Sequence, residues 1–128
     1  MTHHLPIRVY YEDTDMAGIV YHANYLKYIE RARSDWVRGL GLDQNAMQAA
    51  GQVFVVRRIE ADYLAPARLD DELQVQTDIT KVSGVRLLLD QQVLRGEQLL
   101  FRAAVTVVLL NQSGSVARLP AIIRQISG

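Results

Sequence analysis

Apolar and polar positions alternate over residues 7–11, give way to a polar, glycine-containing turn, and then recur at three- and four-residue spacing over 24–40. The first pattern predicts a strand, with Pro6 just before it where a missing N–H does little harm. The second predicts a long amphipathic helix that buries Tyr25, Tyr28, Ile29, Ala32, Trp36, Val37 and Leu40. Gly39 and Gly41 bracket its C-terminal end, and Asp43 is placed to cap a short helix over 45–50 that stops at Gly51.

From residue 53 onward the pattern is mostly that of strands: 53–63, rich in β-branched and aromatic residues, then 72–79, 85–94 and 99–110, joined by turns at 65–71, 83–84 and 95–97. Residues 120–126 read as a last short helix with Pro120 at its first position. The order is strand, long helix, then four strands in short succession. A single amphipathic helix covering the apolar face of one antiparallel, five-stranded sheet is an α+β arrangement. The last long strand is apolar on both faces, so its outer face needs cover from a partner subunit or from the returning tail.

At 128 residues, 49% hydrophobic and 22% charged, the chain reads as one domain over 1–128, with enough length for a real core. Fourteen basic residues balance fourteen acidic ones, so no net field draws the protein toward nucleic acid or an anionic membrane. The absence of cysteine excludes disulfides, a thiolate nucleophile and cysteine-ligated metal. Oxygen and nitrogen chemistry remains. The N-terminal residues lack the basic and apolar regions of a signal peptide, and no run reaches roughly 18 apolar residues, so a cytoplasmic protein without stable membrane insertion is expected. His3 and His4 are expected in a frayed terminus, as incidental residues rather than a metal site.

The chemistry concentrates where the first strand runs into the long helix. Asp13 and Asp15 lie just upstream of a helix start, where backbone N–H groups have no partner within the helix. A carboxylate that handles water and donors that hold a developing oxyanion are two parts of an acyl-transfer site. The bland reading of Asp15 is an Asx-turn or helix cap. Asp13 reads as a brace for the turn, and a divalent metal held by both carboxylates would need further oxygen ligands. Glu30 and Arg33 read as a surface or subunit ion pair.

The Asp-x-Asp-x-x-Gly-x-Val-x-His pattern of Asp13, Asp15, Gly18, Val20 and His22 resembles that of the hotdog-fold thioesterases of the 4-hydroxybenzoyl-CoA thioesterase family. The stretches Tyr28-Ile29-Glu30-Arg31-Ala32-Arg33 and Tyr63-Leu64-Ala65-Pro66-Ala67-Arg68-Leu69-Asp70-Asp71 extend the resemblance, which is greatest to the acyl-CoA thioesterases associated with the Tol–Pal cell-envelope system. It covers nearly the whole chain and weakens after about residue 110.

The resemblance implies an acyl-CoA thioester hydrolase with no metal or cofactor. Asp15 is its general base or nucleophile, and the backbone N–H of His22 is the donor to the thioester oxygen. The His22 imidazole is either a substrate-orienting group or a structural hydrogen-bonder. Gly18 is expected to permit the turn and the approach of the acyl group, with Val20 and Tyr21 beside the substrate. Arg57 and Arg86, with Arg58 and Lys81, are candidates for coenzyme A phosphates. The better-known 4-hydroxybenzoyl enzyme has a basic run where this chain has Lys81-Val82-Ser83-Gly84-Val85-Arg86, a departure that argues against the aromatic substrate. Subunits of this family pair so that their sheets join and the sites lie between chains, which implies a homodimer or homotetramer. Two other readings stand beside this one. A hotdog dehydratase needs a paired histidine and acid, and His22 is the only internal histidine. A non-catalytic acyl- or acyl-carrier-protein-binding partner of an envelope or lipid-synthesis complex would keep the fold without needing Asp15.

Overall fold

The computed structural model describes residues 2–126. The first strand, β1, spans His3–Arg8, four residues earlier than the alternation predicts. It pairs antiparallel with β3, Glu72–Val82, from His3 opposite Thr77 to Arg8 opposite Glu72. His3 and His4 therefore lie in the sheet and not in a frayed terminus. The His3 Nε2 also lies 2.9 Å from the Asp35 carboxylate on the long helix. Pro6 sits inside β1, opposite Gln74, and is tolerated because one side of an edge strand has no ladder to complete. Tyr10 and Tyr11 leave the strand, and Tyr11–Asp13 forms a 3-10 turn.

The long helix α1, Asn24–Gly39, buries Tyr25, Tyr28, Ile29, Ala32 and Val37 on one face, as the periodicity predicts, whereas Trp36 and Leu40 are half-buried. Leu40 caps it, and Gly41 turns the chain away in the left-handed region at φ 85°. A short helix, α2, covers Gln44–Ala49, with the Asp43 side chain accepting from the N–H groups of Asn45 and Ala46. Strands β2 (Val53–Tyr63), β3, β4 (Leu87–Arg95) and β5 (Gln98–Leu110) follow, then a two-residue β6 (Val116–Ala117) and a final helix α3 (Ala121–Arg124).

Every pairing is antiparallel, in the order β1-β3-β4-β5-β2, with β6 added beside β5. The sheet has six strands rather than five because the chain after β5 turns back and pairs with Leu109 and Leu110. The tail then enters the core through Leu119 and Ile123, with the Leu119 N–H donating to the Gly84 carbonyl at 2.8 Å. Pro120 is the N-cap of α3 rather than its first residue. The second face of β5 is covered at Leu100 and Val108 but open at Arg102 and Ala104.

The buried face of α1 shares one core with Leu73 and Val75 of β3, Leu87, Leu89 and Val93 of β4, and Phe101, Ala103, Val105 and Val107 of β5. Within this apolar layer lies a polar pin. The side chain of Gln91, fully buried on β4, donates to the Ile29 carbonyl of α1 and to the Thr77 hydroxyl of β3, each at 2.9 Å. Its carbonyl oxygen accepts from Arg33 at 2.9 Å. Gln91→Leu removes all three bonds and leaves the Thr77 hydroxyl without this partner, so a loss of about 2–4 kcal/mol is expected. Urea unfolding measures it, and a loss below about 1 kcal/mol would contradict the pin.

Candidate active site

Asp13 builds the junction between β1 and α1. Its carboxylate accepts from the Tyr10 N–H at 2.9 Å, and its carbonyl accepts from both the Tyr21 N–H and the buried Asn24 side-chain amide, each at 2.9 Å. Between these anchors the chain makes a small loop. Thr14 bridges to Val20, the Asp15 N–H donates to the Ile19 carbonyl at 2.9 Å, and the Gly18 N–H donates to the Asp15 carbonyl at 3.0 Å. Gly18 closes the loop at φ +77°, the left-handed region that a side chain disfavours. A Cβ built there would meet no protein atom within 4 Å, so the need for glycine is conformational rather than steric within this chain.

The loop also docks on the β2–β3 connection. Ile19 bridges to Arg68, and the Val20 N–H donates to the Ala67 carbonyl at 2.8 Å. That connection is braced in turn by Asp71, whose carboxylate accepts from Arg95 at 2.6 Å and from the Arg68 N–H at 2.8 Å. Burial pushes the Asp71 carboxyl up, but the Arg68 N–H and the Arg95 guanidinium outweigh it and hold the pKa below the ordinary value.

The Asp15 side chain is exposed at the mouth of this construction. One carboxylate oxygen accepts from the Ala17 N–H at 2.8 Å, which is the Asx-turn geometry, and the other has no partner among the described residues. A few residues on, α1 begins at Asn24, with Ala23 as an N-cap that makes no side-chain capping bond. The N–H groups of His22 and Ala23 find no acceptor among the described residues. The carbonyls of Tyr21 and His22 are occupied, by the Asn24 N–H at 2.8 Å and the Tyr63 hydroxyl at 2.9 Å. Free donors and a half-free carboxylate thus belong to one junction.

An open depression of about 740 Å³ surrounds Asp15 and includes Tyr11, Thr14, Tyr21, Asn24 and Lys27 among its walls. Asp15 and Tyr21 are the sequence candidates that line it. His22 is exposed beside it, its ring against Tyr21 at 4.5 Å and edge-on to Tyr63 at 6.1 Å. The Val20 side chain points into the core, 4% exposed. Arg57 is the unpaired residue of a bulge in β2, and Arg86 closes the β3–β4 turn, so neither lines the depression. Lys27 is its one cationic wall residue.

Glu30 and Arg33 do not form the expected ion pair. Glu30 accepts from the Ser34 hydroxyl at 2.8 Å, while Arg33 turns inward to Gln91, and burial lowers its pKa against the opposing charge of Glu30. Two contributors to the site escape reasoning from the sequence. Asn24 reads as a helix-start residue, but no spacing rule announces its bond to Asp13; Tyr63 reads as a strand residue, and its reach to His22 exists only across the fold. Among the described residues no group of His, Asp and Glu is clustered to hold a metal.

The helix laid against an antiparallel sheet in this order has counterparts in known proteins. The chain belongs to the thioesterase-like superfamily, which matches residues 9–126. The acyl-CoA thioester hydrolase YbgC of Escherichia coli is 45% identical over 104 residues, 81% of this chain and 78% of its own, and the acyl-CoA thioesterase YbgC of Haemophilus influenzae is 42% identical over 107 residues, 83% and 79%. Among solved structures, a probable thioesterase from Bartonella henselae superposes with a TM-score of 0.90 at 37% identity, covering 94% of this chain and all of its own. A 1,4-dihydroxy-2-naphthoyl-CoA thioesterase from Synechocystis does so at 0.88 and 29% identity, covering 95% and 92%. The hotdog fold and the family seen in the motif are thereby confirmed.

Beneath the junction, the Tyr28 hydroxyl is buried near the Asp13 carboxylate but outside hydrogen-bonding geometry. Burial first, and then the charge of Asp13, raises its pKa above the ordinary tyrosine value. A group so raised contributes stability that is fully present below about pH 10 and is lost as pH rises through the folded value. Tyr28→Phe is therefore expected to flatten the alkaline fall in stability while shifting the value at pH 7 by no more than about 1 kcal/mol. Urea titrations at neutral and alkaline pH measure both, and an unchanged alkaline slope would contradict the assignment.

Proposed function

We propose that this chain hydrolyses an acyl-CoA thioester to the free acid and coenzyme A, with Asp15 and the start of α1 as the reacting site. The observation that carries this reading is a half-free Asp15 carboxylate in one depression with Ala23, at a helix start where the N–H groups of His22 and Ala23 are unpartnered among the described residues. The named activity of the YbgC relatives supports it. The thioester oxygen would accept from the His22 N–H, which stabilises the charge that develops there. The Ala17 N–H holds one oxygen of Asp15 and leaves the other to act. That oxygen either takes a proton from the attacking water or attacks the thioester carbon to form a mixed anhydride that water then opens. In both routes coenzyme A leaves as the thiol, and no metal or cofactor takes part. The His22 imidazole would orient the substrate, with Gly18 and Tyr21 shaping the approach, while Val20, expected from the sequence beside the substrate, backs the loop from the core instead.

The acyl group is proposed to be apolar. A pocket of about 170 Å³ between α1 and the sheet supports that choice through its apolar side, which includes Trp36, Val37, Phe54, Leu87 and Leu89, while Glu30, Arg33, Ser34 and Gln44 form its polar side. β2 lies at the end of the sheet order, an edge strand of 11 residues of the kind that is usually paired or covered. This supports a homodimer joined at β2, or a homotetramer of two such pairs. Arg57 and Arg86 would then meet coenzyme A phosphates from a neighbouring chain's site. Exposed Tyr11, Met16 and Tyr21 around the depression favour a second reading, in which an acyl carrier protein brings the acyl group or the chain binds that partner without catalysis. No helix of the described residues is long and apolar enough to cross a membrane, and the proposed location is the cytoplasm.

Thiol release from short, long and aromatic acyl-CoAs tests the proposal. Turnover of at least one acyl-CoA is expected, and Asp15→Asn, which keeps shape but removes charge, is expected to lower kcat/KM about a hundredfold or more. Turnover untouched by the substitution would remove Asp15 from the mechanism. No turnover by folded protein would favour the acyl-carrier-binding reading.

A further inference from the structure

We infer that Tyr63 is a positioning residue for the hydrolysis, holding the Ala23 N–H as a second donor to the thioester oxygen beside that of His22. This rests on the site proposed above and adds to it a residue from a different element.

Tyr63 is the last residue of β2, in register with Phe101 of β5, and the next two N–H groups, of Leu64 and Ala65, both donate to the Leu100 carbonyl, at 2.8 and 3.1 Å. Its backbone is therefore fixed by the sheet. Its ring packs edge-on against two buried rings, Phe101 at 5.0 Å and Tyr25 at 5.6 Å, so the side chain has one direction in which to extend. That direction ends at the His22 carbonyl, 2.9 Å from the hydroxyl. A half-exposed tyrosine hydroxyl is ordinarily satisfied by water, and phenylalanine would fill the same ring site. What the hydroxyl adds is a bond to the first turn of α1.

The His22 carbonyl and the Ala23 N–H are the two ends of one planar peptide group, so fixing one end orients the other. A donor on the carbonyl also polarises the group and strengthens its N–H as a donor. The preceding peptide is held in the same way, with the Asn24 N–H on the Tyr21 carbonyl at 2.8 Å and the His22 N–H left free. Two successive peptides thus have anchored carbonyls and unpartnered N–H groups, at a helix start whose positive end favours an oxyanion. One anchor is local to the helix. The other, Tyr63, comes from the far end of the sheet order and ties the donor pair to the core through Tyr25 and Phe101.

Tyr63→Phe keeps the ring and removes only the hydroxyl. With the acyl-CoA that the wild type prefers, kcat is expected to fall about tenfold with KM unchanged, less than the roughly hundredfold cost of deleting a donor outright, because the N–H is loosened rather than lost. The melting temperature is expected to stay within about 3 °C, and the Ala23 amide resonance to move and exchange faster with solvent, a change that a remote structural contact would not cause. Unchanged kcat in Tyr63→Phe, with Asp15→Asn inactive, would overturn this inference and leave the proposed hydrolysis standing. A fall in kcat matched by a large fall in melting temperature, with the Ala23 amide unmoved, would also overturn it, reducing Tyr63 to a tether. Failure of the wild type to turn over any acyl-CoA would overturn the reading on which it rests.

Discussion

Three hydrogen bonds converge on Asp13, and the rest of the site hangs from them. Its carboxylate holds the chain leaving β1, and its carbonyl holds both Tyr21 and Asn24 at the start of α1. Each such bond contributes on the order of 1 kcal/mol, somewhat more where the carboxylate is the acceptor. Their larger effect is geometric. With both ends pinned to one residue, the loop of 14–20 has little freedom left, and Asp15 is held, still exposed, in the depression that Ala23 and Asn24 also line. Asn24 is 8% exposed and is one of four polar residues buried in the described chain, which marks this clamp as part of the core.

The division of labour between the two aspartates follows from position in the loop. Asp13 lies at its base, where every bond it makes is structural. Asp15 lies at the tip, with one oxygen braced by the Ala17 N–H and the other open. The Asx-turn is compatible with the proposed role of Asp15, because a bond that holds the side chain in a single orientation is what a base or nucleophile needs. The sheet supports the loop from the other side through Ala67, Asp71 and Arg95, so the site is held by α1 and by the β2–β3 connection together.

Much of this is legible in the sequence, for reasons that differ by element. α1 is read to within one residue because its apolar spacing persists over four turns and glycines stand at its end. β2 is read to the residue because it is β-branched and aromatic throughout and bounded by turns. β1 is misplaced because Pro6 and two histidines look like the edge of an element, and only the pairing with β3 shows that an edge strand tolerates them. β6 and the return of the tail into the core are set by tertiary pairing that two residues cannot announce. In the site, Asp15 and His22 stand out through their spaced motif. Lys27, Tyr63 and the inward turn of Arg33 do not, since each depends on what lies across the fold.

The proposed hydrolysis requires that the thioester of an acyl-CoA sit between the open oxygen of Asp15 and the free N–H groups at the start of α1. The structure of the Asp15→Asn protein with an unhydrolysed acyl-CoA tests it most directly. The thioester oxygen is expected at about 3 Å from the His22 N, within reach of the Ala23 N, with the carbonyl carbon facing residue 15. A thioester bound elsewhere, or with its oxygen turned away from the helix start, would contradict it.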